Sequence, residues 1–274
     1  MDAINPRRRF FKQLLALSAF SAGSILSFKR IIGARIHKSG TIEAYAMDNP
    51  DYTAPLSANT VRIKYIGMSC FIITSSNGTK IILDPCDGLG KEPADIATVS
   101  CGHYFHCDVW NVAGFPYIYK RTEPAEILGI PFRGVSTRHM EMAEGQKIRP
   151  GENYVICFEV DGINICHLGA LGHKLSDAQV REIGKVDILM VPVGGVSTLP
   201  VADAVEVCGQ LNPRVIIPMN YRSEQLNYPS WSTVDEFMKI MDRGGNVLRG
   251  GRRGFGVMEF KSSELPSETQ VIVL

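Results

Sequence analysis

The spacing of hydrophobic residues divides the chain into a strand-rich part before Gly172 and a part with helical periodicity after it. In the first part, apolar and polar residues alternate over 61–66, and further apolar runs occupy 70–74 and 80–83. A Ser-Asn-Gly sequence at 76–78 separates the last two runs and is typical of a tight turn. The pattern predicts an N-terminal β-meander.

Further strands are predicted in the same part of the chain. They cover residues 96–100, 133–137, 154–160 and 163–168. Asp161-Gly162 lies between the last two, and this dipeptide favours a two-residue hairpin turn. The strand at 96–100 runs directly into a group of cysteine and histidine residues.

After Gly172 the apolar residues recur with helical spacing. Ser176 and Gln179 have the spacing of a capping box, which predicts a helix from there to about Ile183, with Gly184 at its end. Two more helices are predicted at 201–211 and 233–242, and strands at 187–193, 214–219, 247–248 and 255–260. Strands followed by alternating helices and strands predict an α/β fold with helices on the outer faces of sheets. We expect one domain over residues 61–274.

The N-terminus has the features of an export signal. Three arginines at 7–9 precede Phe10-Phe11-Lys12, and an apolar run follows over 13–28. Charged residues before a short apolar run are typical of a signal peptide, and the adjacent arginines resemble a twin-arginine signal. The run is shorter than the roughly 20 residues that cross a membrane, although an uncleaved signal would still act as an anchor.

This signal predicts where the protein works and one of its partners. Residues 1–28 would engage the twin-arginine export machinery, and the protein would act in the periplasm or on the outer face of the cytoplasmic membrane. Residues 29–60 are polar and rich in turn-forming residues, which predicts a linker or an arm lying on the domain.

Charge and cysteine content exclude some classes of protein. The chain has 29 basic and 28 acidic side chains, a formal net charge of +1, so a nucleic-acid-binding surface is not indicated. Its seven cysteines are odd in number and scattered, and most lie in apolar runs. This pattern favours buried thiols over a disulfide framework.

The strand at 96–100 is followed by Cys101, His103 and His106. Thiolate and imidazole are the ligands that zinc prefers, so this spacing indicates a metal site; polar loop residues are the alternative. His139 follows another predicted strand and could add a ligand. His167 and His173 are further candidates at a strand end.

The sequence resembles the metallo-β-lactamase fold family, and within it the stand-alone metal-dependent hydrolases related to ascorbate-phosphate lactonase. The resemblance runs from about Val61 to the C-terminus. It is carried by Leu83-Asp84-Pro85, residues 94–100, 158–162 and 167–173, Pro192-Val-Gly-Gly195 and Ile217-Pro-Met-Asn-Tyr221. The resemblance implies a four-layer αββα sandwich with the metal site at one edge, between the two sheets.

This sequence has metal-binding residue types at only some of the family's metal-ligand positions. The resemblance places Cys101, His103 and His139 at the first metal and His106 at the second. It also places Phe105, Ala170 and Asn220 where the remaining ligands of the second metal would stand. We therefore expect at most one metal, which is zinc or, as an alternative for a Cys/His set, iron.

The remaining site residues are assigned supporting roles. The resemblance implies that Asp84 orients a ligating histidine, while its position before Pro85 would also suit a plain turn residue. His167 and His173 are expected to be hydrogen-bonded residues near the site.

Two functions follow as expectations. The first is an exported hydrolase that cleaves an ester, lactone, amide or phosphodiester with metal-activated water. The alternative is a catalytically inactive protein of the same fold that serves in binding or assembly. The sequence leaves open whether the chain is an enzyme, and it does not identify the small molecule that the site would take, because fold does not fix substrate.

Overall fold

The computed structural model describes most of the predicted domain and part of the predicted arm. It covers residues 31–36, 42–46, 54–86, 91–103, 106–114, 116–143, 146–223, 228–242, 247–249 and 256–274. The export signal predicted at 1–28 and the site residue Phe105 lie outside these ranges. Among the described residues, no helix is long and apolar enough to cross a membrane.

In the described ranges, sixteen strands form the two sheets of the sandwich. In chain order they are β1 (Ile31–Ile36), β2 (Ile42–Ala46), β3 (Thr60–Gly67), β4 (Cys70–Thr74), β5 (Lys80–Leu83), β6 (Ile96–Thr98), β7 (Tyr117–Tyr119), β8 (Ala125–Ile127), β9 (Ile130–Ala143), β10 (Gln146–Val160), β11 (Ile163–His167), β12 (Ile188–Pro192), β13 (Val215–Met219), β14 (Val247–Arg249), β15 (Val257–Lys261) and β16 (Gln270–Val273).

Each sheet has eight strands and mixes parallel with antiparallel pairs. The first sheet has the order β2-β1-β15-β3-β4-β5-β6-β7, and the second has the order β14-β16-β13-β12-β11-β10-β9-β8. Strands β5 to β7 are parallel to one another, and so are β11 to β13. Because parallel strands present their carboxyl ends at one edge, the segments after β5, β6 and β11 meet there.

Three α-helices are described: α1 (Asp177–Ile183), α2 (Val201–Leu211) and α3 (Val234–Met241). The predicted capping box at Ser176 and Gln179 is present, and Gly184 ends α1 with a positive φ. Helix α1 packs on β9 and helix α2 on β12, so both cover the second sheet, and α3 packs against α2. Most apolar residues of the three helices face the interior, with Ile240 of α3 exposed, and most of the charged residues face water.

Two apolar clusters hold these layers together. The larger fills the space between the sheets and continues beneath the helices. The smaller covers the outer face of the first sheet with residues from the following loops; it consists of Ile66, Cys70, Ile72, Ile82, Cys86, Ala94 and Val112.

The turns at one end of the sandwich are joined by hydrogen bonds. Asp161, in the turn between β10 and β11, accepts hydrogen bonds from the backbone N–H of Ser76, at 2.8 Å, and from its hydroxyl. Ser76 lies in the turn between β4 and β5, so these contacts connect the second sheet to the first. They lie at the end opposite to the carboxyl ends of β5, β6 and β11.

The predicted α/β sandwich is confirmed, and several elements differ from their predicted bounds. Strands β9 and β10 are much longer than predicted, because they continue past their apolar segments as a paired ribbon. Strands β7, β8 and β16 were not predicted; they have three to four residues each, too few to show a period.

Strands β1 and β2 lie in the segment predicted as a linker or arm. They pair with each other, and β1 also pairs with β15. Within the predicted linker or arm, these two stretches therefore extend the edge of the first sheet. The division of the chain into signal, arm and domain stays a prediction.

Candidate functional site

Asp84 is at the centre of a buried polar network at the edge where β5, β6 and β11 end. Its carboxylate accepts hydrogen bonds from the backbone N–H of Ser100, at 2.7 Å, and from the Ser100 hydroxyl, at 2.6 Å. Its other neighbour is His106, whose Nδ1 lies 2.6 Å from Asp84 Oδ2. Asp84 is fully buried and has a φ of 46°, so the backbone turns sharply where β5 ends.

The charge of Asp84 is stabilised by these partners. Burial alone would raise the pKa of Asp84. The nearby rings of His106 and His167, together with the hydrogen bonds from His106 and Ser100, outweigh burial and lower this pKa below its usual value. The group is therefore an ionised carboxylate in a site from which water is excluded.

His106 uses one ring nitrogen for two contacts. Nδ1 lies 2.6 Å from Asp84 and 2.7 Å from the hydroxyl of Ser69. Because a carboxylate only accepts, Nδ1 carries the proton, and Nε2 is the ring atom that a metal or substrate would meet. Serine and aspartate share the same nitrogen, so these three residues do not form a Ser-His-Asp catalytic relay, which needs one partner on each nitrogen.

His167 supports the same edge from the second sheet. It is fully buried, and its Nε2 donates to the backbone carbonyl of Ser69 at 2.9 Å. Burial lowers the pKa of His167, and Asp84 opposes this only in part. Its Nδ1 has no hydrogen-bond partner in the described part of the chain. The supporting role of His167 stays a prediction.

Cys101 is buried directly after Ser100. Burial raises the pKa of the Cys101 thiol to about 12; Asp84 adds to the increase, and the backbone N–H of His103 opposes it. The thiol therefore stays protonated at neutral pH unless a cation binds beside it. His103 is exposed, and its ring centre lies 6.3 Å from that of His106.

His139 lies on β9 opposite Gly151 of β10. Its ring sits so close to that glycine that a Cβ there would be only 2.3 Å from Nε2. The side chain of His139 is buried and depends on the absence of a side chain at position 151. This strand pairing fixes the ring of His139 against the backbone of β10.

Two of the positions assigned to a second metal are described. Ala170 is buried and offers only a methyl group; its N–H donates to Asn153 Oδ1 at 2.8 Å. Asn220 is buried with a φ of 51°, and its Oδ1 has no hydrogen-bond partner within the described ranges. Neither side chain is an imidazole or a carboxylate, so neither replaces the ligands that the family uses there.

The donor atoms of the described residues do not form a closed metal centre. Across the described ranges, no three His, Cys, Asp or Glu side chains are placed to hold a metal ion. The chemistry of Cys101, His103 and His139 suits one zinc ion, but their arrangement is not a closed three-ligand site. The residues do not fit a two-metal centre, and a single site on these side chains stays a prediction.

His173 is separated from this network. Its Nε2 accepts from the backbone N–H of Arg138 at 3.2 Å, and its Nδ1 donates to the carbonyl of Lys174 at 2.8 Å. It lines an open polar depression of about 490 Å³, together with Ser136, Thr137, Arg138, Lys174, Leu175, Ser176 and Gln179.

Sequence reasoning missed the polar residues that build the edge. Ser69 and Ser100 contact Asp84 or His106 directly. Asn153 ties neighbouring strands of the second sheet by donating to Thr137 at 2.7 Å and to the carbonyl of Leu168 at 3.0 Å. Ser100 could have been found from its position beside Cys101. Asn153 gave one signal, an amide at a position that the β10 pattern buries.

Comparison with known proteins gives the family. The sequence model of the beta-lactamase superfamily domain matches residues 62–220, more than half of the chain. A solved protein of the metallo-beta-lactamase superfamily from Thermotoga maritima is 35% identical, with a TM-score of 0.63; the match covers 78% of this chain and 97% of that one.

Two curated relatives agree. A UPF0173 protein of Pyrococcus furiosus is 29% identical over 186 residues, which cover 59% of this chain and 83% of the relative. A UPF0173 metal-dependent hydrolase of Thermococcus onnurineus is 27% identical over 220 residues, or 69% of this chain and 95% of the relative. The chain belongs to the beta-lactamase superfamily and to its stand-alone metal-dependent hydrolases of the metallo-β-lactamase fold.

Proposed function

We propose that the protein is an exported hydrolase with at most one metal ion, which cleaves an ester, lactone, amide or phosphodiester bond of a small molecule. The observation that carries this proposal is the contact between Asp84 and Nδ1 of His106. A buried carboxylate on one ring nitrogen is the arrangement that orients an imidazole toward a metal or a substrate through the other nitrogen.

The proposed ligands are Cys101, His103 and His139, with His106 beside them. Zinc is the ion that suits this set, and iron is the alternative. When bound, such an ion would polarise the bond to be cleaved and acidify a water molecule. The chain itself contributes a His106 ring that the buried carboxylate of Asp84 orients.

A binding or assembly protein without catalytic activity is the second candidate. It is favoured by the placement of the donor atoms, since no three of them come together in the part of the chain that the structure describes. It is also favoured by the Cys101 thiol, whose pKa of about 12 keeps it protonated when no cation is bound.

Metal content separates the two candidates. The full chain, purified after folding in the cytoplasm, should carry about one equivalent of zinc or iron by elemental analysis. The metal should be lost in Cys101→Ala and His139→Ala. It should be kept in Cys208→Ala, a matched control that removes a buried thiol from helix α2. A metal-free wild type would overturn the one-metal proposal and favour the binding protein, and two equivalents would contradict the limit of one.

Export has its own test. Replacing the arginines at 7–9 by lysine keeps the charge and removes the twin-arginine pattern. The proposal expects wild type in the periplasmic or membrane fraction and the variant in the cytoplasm. Equal export of both would contradict the twin-arginine route, and the size of the exported protein shows whether the signal is cleaved.

A further inference from the structure

The hairpin of β10 and β11 brings two cysteines together far from the predicted ligands in sequence. Cys157 and Cys166 are direct partners across the hairpin. Their sulfur atoms are 3.7 Å apart, and the side chains are 4% and 1% exposed. All seven cysteines of the chain are free thiols in the structure.

The turn determines how close this pair lies. Asp161 and Gly162 both have positive φ, at 53° and 73°, as in a type I′ turn. Val160 and Ile163 flank such a turn as a hydrogen-bonded pair. Farther from the turn, non-hydrogen-bonded and hydrogen-bonded pairs of opposite residues alternate along the two strands. Counting outward, Cys157 and Cys166 form a non-hydrogen-bonded pair, for which the Cα atoms are about 4.5 Å apart. A disulfide needs a Cα separation of roughly 4.4–6.8 Å, so no backbone movement is required.

A cation lies beside these thiols. Arg133 of β9 is the register partner of Cys157 and is only partly buried. Its guanidinium donates to the carbonyl of Ile183 at the end of α1, while its Nε has no hydrogen-bond partner among the described residues. Burial and the neighbouring Cys157 raise the pKa of Cys166, and Arg133 opposes them. The unused N–H and the positive charge would both stabilise a thiolate.

A second pair of neighbouring thiols has the opposite surroundings. Cys70 and Cys86 are both buried and hydrogen-bonded to each other. Burial and Cys86 raise the pKa of Cys70, and the Asp84 carboxylate raises it further. A negative charge disfavours the thiolate, so this pair should react more slowly than the pair beside Arg133.

We propose that Cys157 and Cys166 are a redox-active dithiol that closes to a cross-strand disulfide when the protein meets a small disulfide oxidant. One thiolate attacks the oxidant, forms a mixed disulfide and releases one thiol. The second thiolate then attacks the cysteine sulfur of that mixed disulfide and releases the other thiol. The protein loses two electrons and two protons, and the oxidant is reduced to two thiols. The proposal is independent of hydrolase activity.

The test uses the full chain and oxidised glutathione. Reduced protein is incubated with the oxidant, unfolded in an alkylating reagent and mapped by mass spectrometry. The expected result is a protein with five alkylated thiols out of seven, in which the peptides of Cys157 and Cys166 are linked. Seven alkylated thiols, or a first linkage at Cys70 and Cys86 or at Cys101 and Cys107, would overturn the proposal.

Variants identify the groups responsible. The double substitution Cys157→Val, Cys166→Val should leave every remaining thiol reduced, and Cys208→Val, the matched control, should still form the linkage. Arg133→Gln should slow oxidation about three- to fourfold if the guanidinium lowers the thiol pKa by one unit, because the smaller thiolate fraction is partly offset by a more nucleophilic thiolate. An unchanged rate would contradict the role given to Arg133. The peptide map of wild type decides the pairing even if a variant fails to fold.

Discussion

The polar edge around Asp84 and the helix-covered face of the second sheet are built in opposite ways. At the edge, charged and polar side chains are fully buried and satisfied by one another, as with Asp84, Ser100 and His106. Under the helices, apolar residues fill the interior and most charged groups stay near solvent; the buried Asp187 lies at the margin of this region, where it pairs with the exposed Lys185.

The difference predicts where single substitutions reduce the stability of the protein most. A buried charge whose partner is removed is costly, because it is left without solvent or a hydrogen bond. An apolar layer under amphipathic helices distributes its stability over many contacts. Substitutions at the polar edge should therefore have larger effects than equivalent substitutions on the helical side.

Asp84→Asn should have the largest effect. Asparagine tolerates the left-handed backbone at this position, so the substitution changes charge and hydrogen bonding without adding strain. It removes the negative charge beside His106. It also replaces one carboxylate oxygen by an NH2 group, which would face the donors of Ser100 and His106. We expect a loss of about 3–5 kcal/mol in the free energy of unfolding, measured with denaturant. A loss below 1 kcal/mol would show that the edge does not depend on this carboxylate.

Gly151→Ala should have the second-largest effect, because it crowds the buried side chain of His139 without changing any charge. The new Cβ would lie 2.3 Å from Nε2 of His139, which must move. Crowding of this kind costs about 1–3 kcal/mol. Thermal unfolding measures the loss, and elemental analysis should show lost metal if His139 is a ligand. Retained metal in a destabilised variant would contradict that role.

Asp187→Asn tests a buried carboxylate on the helical side. Burial would raise the pKa of Asp187, but hydrogen bonds from Asn164, with a contribution from Lys185, lower it below its usual value. A lowered pKa in the folded state stabilises the protein above the unfolded value of about 4 and ceases to do so as the pH falls through the folded value.

The variant should accordingly lose about 1–2 kcal/mol at pH 7, with a difference from wild type that shrinks below about pH 4. Denaturant unfolding at several pH values measures this. A difference that is constant with pH would show that the charge of Asp187 contributes nothing, and a loss as large as that of Asp84→Asn would break the comparison.

Gly209→Ala should have the smallest effect, and the opposite sign. Gly209 lies in α2, and a Cβ there meets nothing within 4 Å. Alanine is favoured over glycine in a helix, so the variant should be about 0.5–1 kcal/mol more stable. It is also the control for Gly151→Ala, because both add one methyl group. If Gly209→Ala were destabilised, the space available for the added methyl group would not explain the different effects of the two substitutions.

The helical side was largely predictable because local rules determine it. The capping residues Ser176 and Gln179, the period of α2 and the buried β12 and β13 can all be recognised from neighbouring residues. The polar edge could be predicted only in part. His106 was found from its spacing after a predicted strand and Asp84 through a family resemblance. Their contacts with Ser69 and Ser100 depend on how distant segments meet, which no local pattern encodes.

The hydrogen bonds between Ser76 and Asp161 have a mechanical consequence for this edge. They fasten the two sheets together at one end of the sandwich, where the turns on either side meet. The edge beside Asp84 is joined as well, since the carbonyls of Ser69 and Ser100 accept hydrogen bonds from His167 and from the backbone N–H of Tyr154. With the two sheets held at both ends, a bulky ligand would be accommodated by movement of the loops at this edge and not by separation of the sheets.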